Sequence, residues 1–414
     1  MRTQNIALIA VLAAIALAIL LFMLWDQKDG ESNMPESLAT TFHEDARTTR
    51  AFTWFTDNPK AGTVIQVVEG KATSAAFDGG SRAIIARTGT TQALAESGSQ
   101  QGIHKVNVTD LKPDTLYTYR VGTGEDGDWS EPAQFATAPV ETDAFTFLNV
   151  TDSQGATEAD FKLWGNTLSR AFDVFPDSRF IVHNGDFTEN PKDENAWRSF
   201  FASASGILPS VPLMPVTGNH DEVEGNAERF VSHFHAPSNG AAGSIPGTTY
   251  SFDYGSAHVV VLNSESNLKG QVDWLRNDLA FSDKPWKIVA MHRGPYGGNS
   301  YKKLDKWVAV FDQFKVDLVL QGHNHEYSRS YPLRGGKIAG DGDGTVRNRE
   351  GTVYVVTNAA GPKFNEKKED LFYHKVHLQN NKQMFAGITI KGDSLVYEAY
   401  DVDGVKVDAF EIRH

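Results

Sequence analysis

The 414-residue chain carries 39 basic and 52 acidic residues, a formal net charge of −13, and no cysteine. The charge excludes a protein that coats nucleic acid, whose phosphate contacts need clustered Lys and Arg, and the missing thiols exclude disulfides, thiolate nucleophiles and Cys-ligated zinc. With 40% hydrophobic residues the chain is expected to be mostly globular, in two or three domains.

Ile6 to Trp25 holds neither a charge nor a polar side chain. At about 1.5 Å per helical residue it matches a hydrocarbon core of about 30 Å, so a transmembrane signal anchor is expected there. A cleavable signal peptide is the rival reading. Its apolar region runs to about 7–15 residues and ends in a small-x-small site, whereas this run ends Leu-Leu-Phe-Met-Leu-Trp. With Arg2 on the cytoplasmic side, everything after residue 26 is expected outside, membrane-anchored or, if the anchor is cleaved, secreted. Residues 26 to about 45 are polar and aperiodic and read as a tether, which closes a first segment over residues 1–45.

From Thr48 short alternating runs begin: Arg50–Thr56, Thr63–Glu69, Ile103–Val108, then Leu111-Lys-Pro-Asp-Thr-Leu-Tyr-Thr-Tyr-Arg-Val. Gly, Asp and Pro fill the gaps and no helical stretch intervenes, which predicts an all-β sandwich over residues 46–140. Leu111–Val121 resembles the corner that opens the sixth strand of fibronectin type III domains. That resemblance implies that the Tyr117 hydroxyl returns to the upstream backbone and that Trp54 is the core tryptophan. The alternative is ordinary core aromatics in another β fold, and either way these residues are structural.

After Ala144 apolar strand runs alternate with helical stretches. The strands are Phe145–Val150, Arg179–His183, Val211–Val216, His258–Asn263, Trp286–Met291 and Val316–Leu320. Phe161–Phe175, Asn195–Ala204, Gln271–Phe281 and Leu304–Phe314 place apolar residues at three- and four-residue spacing. This alternation predicts an α/β core of mostly parallel strands. Beyond Gly351, Thr352–Thr357, Gln383–Ile390, Ser394–Asp401 and Val405–Glu411 read as strands joined by Gly-Asp and Asp-Gly hairpin turns. They form a C-terminal β layer of one domain over residues 141–414.

Five of these strands end in metal-type ligands: Asp152 and Gln154; Asp186; Asn219, His220 and Asp221; His292; His323 and His325. Ligands of open α/β sheets bind beyond the carboxyl ends of the strands, so five such ends point at one crevice. Carboxylates, imidazoles and an amide form a mixed oxygen/nitrogen set suited to zinc, iron or manganese rather than calcium. Gly before Asp186, Asn219 and His323 permits a tight turn off each strand. His323 and His325, two apart, would share a side in an extended segment. Each piece alone has a bland reading as a helix cap, a turn or a surface pair; five in order do not.

The order Asp-x-Gln, Gly-Asp, Gly-Asn-His-Asp, His and Gly-His-x-His resembles the calcineurin-like metallophosphoesterase superfamily. With a fibronectin-like module ahead of it, the chain resembles the purple acid phosphatase branch over about residues 45–412. The resemblance implies a four-layer αββα sandwich with a dinuclear metal centre. It implies that Asp186 bridges both metals, that Asp152 and His325 hold the first, and that Asn219, His292 and His323 hold the second. His220 would touch substrate and protonate the leaving oxygen, oriented by Asp221. Two cations about 3.5–4 Å apart would supply a hydroxide for in-line attack on phosphorus, and the resemblance to the acid phosphatase branch implies phosphomonoesters as substrates. A phosphodiesterase or nucleotidase with the same centre is the runner-up, and an inactive surface-binding protein the reading from another class.

Two positions depart from the pattern. Gln154 stands where many relatives have a His ligand to the first metal and others a residue that does not bind, and Glu189 stands where purple enzymes have Tyr. Glu189 is either a ligand to the first metal or a surface carboxylate, and no purple charge-transfer band is expected. Arg293 and Tyr296, in the Gly-rich loop after His292, either meet substrate or only shape the loop. Tyr327 and Arg329 are further pocket candidates, whereas His183, His233, His235, His258, His374 and His377 read as structural or exposed.

Overall fold

The computed structural model describes residues 32–79, 83–96, 99–125, 127–347 and 349–414. The anchor expected over residues 6–25 lies outside these, and no helix among the described residues is long and apolar enough to cross a membrane.

The β module begins earlier than the sequence suggested. Glu36–Thr41, assigned above to a tether, pairs antiparallel with Arg50–Thr56. Its alternation was hidden by a register shift between Glu36 and Ala39 and by Ser37 in the left-handed region at φ 53°. Two four-stranded sheets form the sandwich. One runs Glu36–Thr41, Arg50–Thr56, Ser99–Val108, Thr90–Glu96; the other runs Ile84–Thr88, Val64–Glu69, Leu116–Gly122, Ala133–Ala136. Phe52, Trp54, Val106, Tyr117, Tyr119 and Phe135 fill the space between. The Lys112 N–H donates to the Tyr117 hydroxyl at 2.9 Å, the corner contact expected. Arg50–Thr56 is buried on both faces because its outer face meets the second domain, where Phe55 stacks on His233 at 4.3 Å between centroids.

In the second domain two seven-stranded sheets pack face to face. The first has Leu213–Pro215, Ile181–His183 and Ala144–Val150 in parallel, then the antiparallel strands Met384–Lys391, Ser394–Asp401 and Lys406–Arg413. The second has Ala257–Val261, Trp286–Ala290, Leu318–Gln321 and Val353–Thr357 in parallel at its centre. Phe147, Val182, Ile288, Leu318, Ile388 and Tyr397 share the core between the sheets. Helices Glu158–Val174 and Glu194–Ser203 cover the outer face of the first sheet through Phe161, Trp164, Trp197 and Phe200. Gly270–Phe281 and Asp305–Phe314 cover the second through Leu275, Leu279, Trp307 and Phe311. The result is the layering helix, sheet, sheet, helix, with the parallel strands of both sheets ending at one rim.

Candidate metal centre

Three residues at that rim leave their strands in the left-handed region: Asp152 at φ 52°, Asp186 at 55° and His323 at 69°. Non-glycine residues held there cost about 1–3 kcal/mol each and persist only where the surroundings impose them. The turns also pack tightly. A Cβ on Gly218 would lie 2.3 Å from Asp186 Oδ1, and one on Gly322 would lie 2.3 Å from Thr151 Oγ1.

Asn184 ties the two sheets together at this level. Its side-chain amide donates to the carbonyls of Met291 (3.1 Å) and Leu320 (2.8 Å), while its own carbonyl accepts from His292 Nδ1 at 2.7 Å. A proton on Nδ1 leaves Nε2 of His292 facing the crevice, 3.1 Å from Asp186 Oδ2 and 3.1 Å from Asn219 Oδ1. His325 repeats the arrangement: Nδ1 donates to the Lys363 carbonyl at 3.0 Å and Nε2 lies 3.0 Å from Asp152 Oδ1. An imidazole whose far nitrogen is fixed by a carbonyl is the usual preparation of a metal ligand. Asp186, His292 and His323 each bring one ligand atom to within 4.8 Å of the others.

The electrostatics favour a cation here. Burial opposes the imidazolium of His292, but Asp186 and Asp152 outweigh it and lift its pKa to about 10. Burial likewise opposes ionisation of Asp152 and Asp186, yet His325 and His292 respectively hold both carboxyls below the usual range. His323 is pushed down to about 3, first by burial and then by His292 and Arg293. Asp152 Oδ1 is buried and accepts no aligned hydrogen bond despite its 3.0 Å contact with His325, and Gln154 Oε1 is buried with no partner at all. Orphaned buried oxygens beside imidazole nitrogens fit a pair of metal ions.

Several expectations need correction. The Asp221 carboxylate makes no hydrogen bond to the His220 imidazole. It is fully buried and accepts three backbone N–H groups, from Asp186 (2.7 Å), Gly218 (2.8 Å) and Phe187 (3.0 Å). It thereby staples the turn bearing Asp186 to the turn bearing Asn219. Burial and then the Asp186 carboxylate push its pKa up to about 7. His220 is oriented instead by the Glu189 backbone carbonyl, 2.7 Å from Nδ1. The His323-Asn324-His325 segment is not extended: it bends at His323, so His323 joins Asp186 and His292 while His325 turns to Asp152. Tyr296 packs against Tyr354 and Tyr373, with ring centroids at 4.8 and 5.1 Å. Arg293 is bound to Glu265 at 3.0 Å and donates to His323 Nε2 at 3.0 Å. Tyr327 and Arg329 are buried on Asp408 and are structural.

Glu189 does not stand free. Its Oε2 accepts from Gln154 Nε2 at 2.9 Å and pairs with the Lys363 ammonium. Lys363 was missed in the sequence. It belongs to an aperiodic loop that forms one wall of an open cleft, with Phe364, Asn365 and Lys368. Gln154, Asp186, Asn219, His220, His323 and His325 form the opposite side, and among the described residues none from the β module lines the cleft. The only signal of the loop was its Gly361-Pro362 start.

Of the remaining histidines, His233 closes the helix Glu228–His233 against Glu194, and His183 is buried against Ser153. His374 and His377 lie on strand His374–Leu378 and cluster with Asp370. Both His374 nitrogens are engaged, by the Leu371 N–H and the Gly297 carbonyl. His377 is held between Asp370 and Glu326.

Residues 145–327 match the family described as Calcineurin-like phosphoesterase, and residues 35–137 match Purple acid Phosphatase, N-terminal domain. An uncharacterized protein of Mycobacterium tuberculosis is 27% identical over an alignment covering 75% of this chain and 65% of its own length. Acid phosphatase type 7 of Mus musculus is 27% identical, covering 66% of this chain and 68% of its own. The chain thus spans about two thirds of the length of these relatives. The purple acid phosphatase PPD1 of yellow lupin, Lupinus luteus, shares the fold: TM-score 0.79 at 18% identity, over 93% of this chain and 75% of that one.

Proposed function

The chain joins a purple acid phosphatase N-terminal domain to a calcineurin-like phosphoesterase domain, and from that premise we propose that it is a metal-dependent phosphoesterase that hydrolyses phosphomonoesters. The observation that carries the reading is the convergence of Asp152, Asp186, Asn219, His292, His323 and His325, among which a buried Asp152 oxygen accepts no aligned hydrogen bond.

Asp186 would be shared between two metals, with Asp152 and His325 on one side and Asn219, His292 and His323 on the other. Iron, zinc or manganese suits the mixed donors. Two such cations would neutralise phosphoryl charge and acidify the attacking water. The chain's own residues do the rest. The Glu189 carbonyl can only accept, so it keeps a proton on His220 Nδ1 and leaves Nε2 to carry a second proton toward the leaving oxygen. Lys368 brings positive charge to the cleft of an otherwise acidic protein, while Lys363 is paired with Glu189. Glu189, in place of a tyrosine, gives no tyrosinate charge-transfer colour. Residues 6–25 would hold the enzyme outside the membrane.

The test is hydrolysis of p-nitrophenyl phosphate against bis-p-nitrophenyl phosphate by the full-length chain, with Mn, Zn and Fe added in turn. Preferential turnover of the monoester is expected. Diester preference would shift the substrate class, and no turnover of either ester with any metal would refute the enzyme reading.

A further inference from the structure

The flank of the first metal position holds an atom with no hydrogen-bonded partner. Gln154 follows the strand Ala144–Val150, and its N–H donates to the Asp186 carbonyl at 3.1 Å, so its backbone is fixed to the residue proposed as the bridge. Its side chain lies in the cleft beside Asp186 and His325, with the residue 3% exposed. The orientation of the amide is fixed by its neighbour. Glu189 Oε2 is an acceptor, so the group 2.9 Å from it is the Gln154 NH2 and the opposite atom is Oε1. That oxygen is buried and accepts nothing. A buried polar atom left so costs roughly 1–3 kcal/mol, which a stable fold carries only where something else takes the lone pairs.

Glu189 is the competing candidate for the same position, and its surroundings speak against it. Its Oε2 is already engaged by the Gln154 amide and by the Lys363 ammonium, and its side chain is 39% exposed at the cleft edge. Lys363 neutralises it in place. The three residues form a line in which ammonium holds carboxylate, carboxylate holds amide, and the amide oxygen is left without a hydrogen-bond partner.

From this geometry we infer that Gln154 Oε1 is a ligand of the first metal, and that Glu189 is a positioning residue that holds the amide rather than a ligand itself. The inference rests on the two-metal reading above and deepens it. The first site then offers Asp152, Asp186 and Gln154 oxygens with one imidazole, His325. The second offers Asp186 and Asn219 oxygens with two imidazoles, His292 and His323. Oxygen-rich sites suit manganese, and added imidazole shifts the balance toward zinc or iron. The two positions therefore differ in metal preference, the first taking the harder ion.

Metal content of the full-length chain tests this without recourse to turnover. Protein stripped with chelator is dialysed against limiting free Mn2+, and bound metal is counted by mass spectrometry and read by electron paramagnetic resonance. The wild type should hold two ions per chain with a spin-coupled spectrum. Gln154→Leu should fall to about one, uncoupled, while its metal-free unfolding midpoint is not lowered. Gln154→Met replaces it if the Leu variant does not fold. Gln154→His should restore two ions, and Glu189→Gln, which still accepts from the amide, should keep two. Glu189→Ala should weaken the first site by about tenfold or more, the usual effect of losing a residue that orients a ligand. Two coupled ions of wild-type affinity in Gln154→Leu would overturn the inference, as would loss of an ion in Glu189→Gln with none lost in Gln154→Leu. A wild type that never exceeds one ion would overturn the two-metal reading itself, and the inference with it.

Discussion

Asp221→Ala separates two roles for a residue beside the centre. The carboxylate accepts from Asp186, Gly218 and Phe187 N–H groups, all buried. An orphaned buried donor costs roughly 1–3 kcal/mol, so three sum to about 3–9 kcal/mol. Water entering the vacated space lowers the figure. So does relief of the repulsion with Asp186, which, after burial, is the next cause of the raised Asp221 pKa. A net loss of about 3 kcal/mol is expected, a large share of the roughly 5–15 kcal/mol that holds a folded protein together. Asp221→Asn keeps one oxygen for two of the donors and turns an NH2 toward the third, so about 1–2 kcal/mol is expected. Urea unfolding followed by tryptophan fluorescence, with chelator present to remove metal linkage, reads both. An Asp221→Ala variant that unfolds at the wild-type urea concentration, yet loses activity as far as His220→Ala does, would refute the staple and restore Asp221 as the partner of His220.

Asp186→Ala should abolish metal retention, whereas His220→Ala should keep metal but lose about 10²–10⁴-fold in turnover, the range for a positioned proton donor; metal analysis beside kcat distinguishes them, and equal metal loss in both would misplace His220. His258 sits between Asp253 and Asp278, which overcome its burial and raise its pKa to about 9. Its stabilising contribution is complete below about pH 6.5 and disappears as pH rises through about 9. It should amount to about 2 kcal/mol after allowance for half-exposed Asp253, and His258→Gln should flatten that part of the pH–stability curve. Lys105 donates to the Val231 and Phe234 carbonyls from the β module, so Lys105→Met leaves both acceptors without that partner. About 1–3 kcal/mol of stability should be lost, seen as earlier thermal unfolding with metal content unchanged.

The strands that carry the site were legible because each apolar run stops at a polar ligand, and the glycines at 185, 218 and 322 marked how sharply the chain must turn. The four helices that cover the sheets were legible from apolar spacing, each beginning within a few residues of its expected start, whereas the short helix Glu228–His233 was not expected. Glu36–Thr41 was not legible, because its register shift breaks the alternation on which strand reading depends. The partners of Asp221 were not legible either: they are backbone N–H groups, which leave no mark in side-chain order. Nor was the Gln154, Glu189 and Lys363 line, whose members are separated by 35 and 174 positions and meet only through tertiary packing. The bend at His323 eluded a two-residue periodicity rule, since a left-handed residue reverses the direction that the rule assumes.

The Asn184 bridge between the two sheets has a consequence for the order of assembly. Neither proposed metal position is complete within one contiguous stretch of chain: Asp152, Asp186 and Asn219 come from the first sheet, His292, His323 and His325 from the second. A chain that has emerged only as far as residue 221 has carboxylates and an amide but no imidazole from the far side. Metal capture would thus be a late event, available only once both halves of the domain have docked. Bound ions would then act as a latch across the seam, and their binding free energy would add to the cohesion of the whole domain rather than to either half.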